Sequence, residues 1–251
     1  MMSLTKVSLP EMVKQQYAYK LKAYIQVFMS LVMIQVIAVL FSLGGTGMMG
    51  SGGGLIDLEL HYYSADVVVA FTILWGFITA VLITTKAYRN DDFLFVTNRI
   101  TSNFSNMLFL LTASIIGGVT AVLSTFLVKI MISLLKKDLY ISGPADLASI
   151  TDMLSGIFAS ILYIFLFCAL GYLVGTLVQL NRLFAFVLPV VFIGGVFLDG
   201  MRGEGAIIQG LYRFFFTEPS IALFSIKVIC TLALLFTGAF VLSNRMEVKS
   251  S

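Results

Sequence analysis

The chain has 251 residues, of which 59% are hydrophobic and 12% charged, with a formal net charge of +3. Soluble domains carry about 25% charged residues, so the composition excludes an ordinary soluble enzyme, and no nucleic-acid partner is expected. Several stretches reach the ~18 consecutive apolar residues that mark a membrane span, which makes the expected fold an all-α polytopic membrane protein. The two cysteines, Cys168 and Cys230, fall inside apolar runs and read as small packing residues rather than a disulfide or metal pair.

The N-terminus, MMSLTKVSLPEMVKQQ, is polar and mixed in charge, unlike a cleavable secretory signal. Ser8-Leu9-Pro10-Glu11 fits a capping box, with Ser8 accepting from the Glu11 amide and the Glu11 carboxylate reaching back. A helix over 8–22 follows, with Leu9, Met12, Val13, Tyr17 and Leu21 roughly on one side. It is expected to lie at the membrane surface, lysine stems buried and ammonium heads among anionic headgroups. A plain extension of the first span is the alternative.

Six spans are expected at 24–44, 65–85, 106–128, 153–175, 183–199 and 221–243, in a single transmembrane domain covering 1–251. Each suits a hydrocarbon core of ~30 Å at about 1.5 Å rise per residue. Gln26 and Gln35 are nine positions apart, about 900° at 3.6 residues per turn, and so fall on opposite faces of the first span. They do not make one polar stripe, but either one can hydrogen-bond to a neighbouring helix or face a pathway.

The Gly-rich stretch GGTGMMGSGGG (44–54) has no GK[ST] and no preceding strand, so it reads as a flexible linker rather than a phosphate cradle. His61 is the one histidine of the chain and sits beside Tyr62 and Tyr63, as in an interfacial aromatic belt.

The segment KAYRNDDFLFVTNRITSN (86–103) is oddly apolar for a loop. Asn90 can cap a helix whose first turn carries Asp91 and Asp92 at the positive end of the dipole. Phe93, Val96, Thr97 and Ile100 then recur on one face, Arg99 lies in the last turn, and Ser102-Asn103 is expected to end the helix before the third span. Such a helix either lies on lipid or inserts into a groove of a soluble partner. Two leading aspartates disfavour an anionic leaflet and favour the partner.

Small residues cluster in the third and fourth spans: Gly117/Ala121 is small-xxx-small and Gly171/Gly175 is GxxxG, spacings that let helix backbones approach closely. Lys129, in the same region, is expected near the end of its span, anchoring the helix by snorkelling or touching a pathway. Residues 199–220 are too long for a turn and too short to span twice, yet carry Ile207, Ile208, Leu211, Tyr212 and Phe214 to Phe216. Two readings fit them equally: a re-entrant helical hairpin packed on protein, or a surface loop with aromatic anchors.

Basic residues set the orientation. With the N-terminus inside, Lys6, Lys14, Lys20, Lys22, Lys86, Arg89, Arg99, Arg182, Arg245 and Lys249 are cytoplasmic, and most acidic residues fall outside. Both termini are then expected on the cytoplasmic side of the cell membrane.

An entry helix, six spans with both ends inside, a cytoplasmic helix between the second and third spans, and a hairpin before the last span together resemble the permease subunits of ABC-2 type ABC transporters. The resemblance covers the whole chain and rests on architecture. It implies that Arg89, Asp91, Asp92, Phe93, Val96, Thr97, Arg99 and Ile100 form the coupling helix that docks on an ATP-binding cassette subunit. It further implies that ATP and Mg are bound by that separate subunit, with no cofactor in this chain, and that a second permease copy or paralogue completes the pathway. The expected function is ATP-driven export of a peptide, antibiotic or other amphipathic or lipidic cargo; Gln26, Gln35 and Lys129 are candidate pathway or packing residues. The competing readings are a secondary transporter and a non-transporting membrane scaffold or immunity protein. An intramembrane enzyme is disfavoured, since no Ser/His dyad, paired Asp or HExxH falls within a span.

Overall fold

Six apolar runs long enough to cross a bilayer are helical, and they fall where the hydropathy places them. The computed structural model describes residues 8–43, 47–51, 58–62, 66–85, 88, 99–135, 150–201, 205–218 and 220–245. In chain order these contain α1 (Leu9–Ala23), α2 (Ile25–Ser42), β1 (Gly47–Ser51), β2 (Leu58–Tyr62), α3 (Asp66–Ile83), α4 (Arg99–Leu135), α5 (Ile150–Leu180), α6 (Phe184–Met201), α7 (Ala206–Phe216) and α8 (Ile221–Arg245). The spans are α2, α3, α4, α5, α6 and α8, and the chain is a multi-pass helical membrane protein.

α5 is the axis of the bundle, packed against α3, α4 and α8. Its closest neighbour is α3, and the reason is the GxxxG pair. A Cβ at Gly171 would run into the Phe77 backbone carbonyl, and one at Gly175 into the Thr84 hydroxyl. Only glycine lets these backbones meet. On its other sides α5 uses aromatic rings, Tyr163 with Phe224 and Phe165 with Phe236, at centroid separations of 4.9 and 5.5 Å. α2 packs on α3 and α4, while α6 buries none of its side chains against the rest of the chain.

Three local expectations change. Ser8 is the N-cap of α1 in extended conformation, but its hydroxyl makes no capping bond. Its backbone carbonyl accepts from the amides of Glu11 and Met12 at 3.1 Å instead. Pro10 supplies no N–H, so two of the orphan donors of the first turn are met by that one carbonyl. Second, part of the Gly-rich linker is paired: β1 and β2 form an antiparallel ladder in register Gly47↔Tyr62 to Ser51↔Leu58. The paired sequences are GMMGS and LELHY. Third, Ser102 and Asn103 do not end a helix. α4 runs unbroken for 37 residues from Arg99, ~55 Å, so they lie in its first turns.

The hairpin reading of residues 199–220 agrees with the packing. α7 starts after Gly205, whose φ of 53° is the left-handed conformation that glycine adopts without strain. Its last turn is held to α5 by the Tyr163 hydroxyl, which donates to the Phe215 carbonyl at 2.6 Å. Tyr163 lies thirteen residues into α5, ~20 Å from the first residue of that helix. α7 therefore turns back alongside the bundle rather than standing beyond its end. Lys227 of α8 pins it further, pairing with Glu218 and standing 4.8 Å over the Phe214 ring.

Candidate functional site

Of the eight residues expected to dock on a partner, Arg89, Asp91, Asp92, Phe93, Val96 and Thr97 lie outside the described residues. Arg99 and Ile100 open α4. Ile100 is 41% exposed. The Arg99 guanidinium donates to the Ser243 carbonyl at 3.0 Å. That carbonyl is among the last of α8, where the helix dipole is negative and no intrahelical donor remains. Arg99 thus clamps the start of α4 to the end of α8.

The same end of the bundle holds a buried polar chain. Thr101, Asn103, Ser105 and Asn106, in the first turns of α4, are all buried. Lys20 of α1 is 1% exposed and donates from Nζ to Asn106 Oδ1 at 2.5 Å. Asn106 Nδ2 donates to the Tyr172 hydroxyl at 3.4 Å, and that hydroxyl donates to Asn103 Oδ1 at 2.8 Å. Donors and acceptors run one way, Lys20 to Asn106 to Tyr172 to Asn103, across α1, α4 and α5. In a low-dielectric interior such a chain is strong when complete and costly when broken. Tyr17 adds a second link from α1 to α4, with its hydroxyl 2.7 Å from the Thr112 hydroxyl.

This changes what the inward side of α1 and its Lys20 meet. Its buried face carries Gln16 and Lys20, while Leu9 is exposed. Gln16 and Lys20 fall in the middle of the side that carries Met12, Val13, Tyr17 and Leu21, all half-buried, so one mixed face packs on α4, whose surface beneath Lys20 is polar. Lys20 meets an amide of the bundle, not a lipid headgroup. The turn between α1 and α2, at Tyr24, is sealed by rings: Tyr24 stands edge-on to Tyr88 at 4.8 Å and to Phe109 at 6.0 Å. Among the described residues neither amide atom of Gln16 finds a hydrogen-bond partner, nor does the Thr101 hydroxyl.

The pathway candidates separate. Gln26 is exposed and Gln35 buried, as their half-turn offset requires. Gln35 Nε2 donates to the Thr72 hydroxyl and to the Gly117 carbonyl, each at 3.2 Å, and so ties α2 to α3 and α4. Lys129 is half-buried six residues before the end of α4. The structure does not bring the three together. Among the described residues no three of His, Cys, Asp and Glu come together as a metal site would need.

Sequence reading passed over Lys20, Asn103, Asn106 and Tyr172. A signal was present: two asparagines at i and i+3 opening a 37-residue apolar helix, and a tyrosine next to the first glycine of GYLVG. A comparison with family models, with curated proteins and with solved structures finds no match.

Proposed function

We propose that the chain is the membrane-spanning permease subunit of an ATP-driven transporter of the ABC-2 type, exporting amphipathic or lipidic cargo across the cytoplasmic membrane. ATP hydrolysis belongs to a separate ATP-binding cassette subunit, and a second permease copy or paralogue completes the pathway. Both termini and residues 89–100 face the cytoplasm on the distribution of lysine and arginine.

The observation that carries this reading is the polar chain of Lys20, Asn106, Tyr172 and Asn103 beside the Arg99 clamp. A transporter driven from outside the membrane needs a stiff connection between the docking segment and the spans. α4 emerges directly from that segment, and its first turns are bonded to α1, α5 and α8. A push on residues 89–98 then displaces four helices together, and α5 passes the motion to α3 through the glycine contact. Hydrogen-bonded asparagines suit a joint that must re-form, because one amide can exchange partners where interlocked apolar packing cannot.

The docking face is tested by Phe93→Asp and Val96→Asp. Each is expected to strip the ATP-binding subunit from the purified chain while membrane insertion stays intact. A subunit retained through both changes would place the docking face elsewhere.

A further inference from the structure

A groove of about 480 Å³ runs between α2 and α3. Its α2 wall descends from Ser30 through Met33 and Ile34 to Ile37. Its α3 wall has the same i, i+3, i+4, i+7 spacing, from Phe71 to Ile78 with Trp75 at the floor. Two such stripes make a trough two turns long, ~10 Å. Met33, Leu74 and Ile78 are more than half exposed, so the trough opens away from the bundle, whereas Trp75 is 7% exposed.

The polar atoms in it are spoken for. Trp75 Nε1 donates to the Ser30 hydroxyl at 2.9 Å, and that hydroxyl donates to the Val27 carbonyl at 2.7 Å. A ligand here is offered dispersion contacts and no hydrogen bond, so a headgroup or a peptide backbone would lose its polar partners on entering. Both walls are membrane spans, so what surrounds the opening is bilayer hydrocarbon.

We infer that this groove is a binding site for one acyl chain of a membrane lipid, seated over Trp75. The chain fills a trough whose apolar lining would otherwise forfeit its packing contacts, and it lies where a lipid can enter sideways from the leaflet. The inference is independent of the transport reading, since it needs only that α2 and α3 span the membrane.

Trp75 is the chain's one tryptophan, so its fluorescence reports this site alone. The full chain, purified in detergent, is titrated with phosphatidylcholine whose acyl chains carry bromine, a contact quencher. The expected result is quenching that saturates at a few mole per cent of bromolipid. Ile37→Phe and Met33→Phe, which fill the trough from its exposed rim, are each expected to weaken the apparent affinity at least threefold. Leu40→Phe, on the same helix outside the trough, leaves it unchanged. Quenching that rises in proportion to bromolipid without saturating means ordinary micelle contact and overturns the site. Absence of quenching means that another helix, such as one from a second copy, covers the tryptophan, and it overturns the site too. So does an affinity unmoved by both filling variants.

Discussion

Lys20 shows how a single buried charge can organise one end of a membrane bundle. Its ammonium, Asn106, Tyr172 and Asn103 form one directed chain of hydrogen bonds. Tyr172→Phe would leave Asn103 Oδ1 without its donor and Asn106 Nδ2 without its acceptor, at a cost of about 1–3 kcal/mol. Lys20→Met orphans Asn106 Oδ1 and is expected to cost a similar amount. Gln16→Leu should go the other way, because it removes a buried amide with neither atom paired, and a gain of about 1 kcal/mol is expected. Thermal unfolding of the three variants in one detergent checks all three signs. The opposite placement of Gln26 and Gln35 was legible from helical arithmetic alone. The inward placement of Lys20 was not, although it shares a face with Val13 and Tyr17, since a lysine there was expected to snorkel to headgroups. Its Nζ stays inside because Asn106 of α4 lies beneath it and accepts its hydrogen bond.

At the scale of elements, the six spans were legible because hydropathy adds up residue by residue over a window, without knowledge of neighbours. Joints and caps depend on which partner a backbone or side chain finds, and there the structure differs. The Ser8 hydroxyl yields to its own carbonyl, Ser102-Asn103 continue a helix they were expected to end, and half of a glycine linker pairs as a strand. Spacing marked the glycines of α5 as packing residues, but it could not rank them. Gly171 and Gly175 touch α3 closely, whereas a Cβ at Gly156 meets nothing within 4 Å. Gly171→Val is therefore expected to cost about 1–3 kcal/mol or more through forced separation of α3 and α5. Gly156→Ala should be neutral or stabilising by up to about 1 kcal/mol, through reduced freedom of the unfolded chain. Monodispersity and thermal unfolding of the two purified variants check the contrast.

At the scale of the molecule, α5 holds α3, α4 and α8 around itself, and the start of α4 is joined by polar bonds to α1, α5 and α8. The other sides are apolar and open, above all along α6, as suits a chain solvated by lipid and, in our reading, by a second copy. The class was legible in composition, which already called for six apolar helices. The polar joint at the start of α4 was not, because it is built from residue pairs 66 to 144 positions apart that meet only when the helices pack. The account stands most directly on a separate motor. The chain should be purified from its own membranes in mild detergent and its companion chains identified. We predict a stoichiometric ATP-binding subunit that is lost on Phe93→Asp, with ATP-dependent transport by the intact complex. A chain that purifies without such a subunit and still transports its cargo would contradict the account.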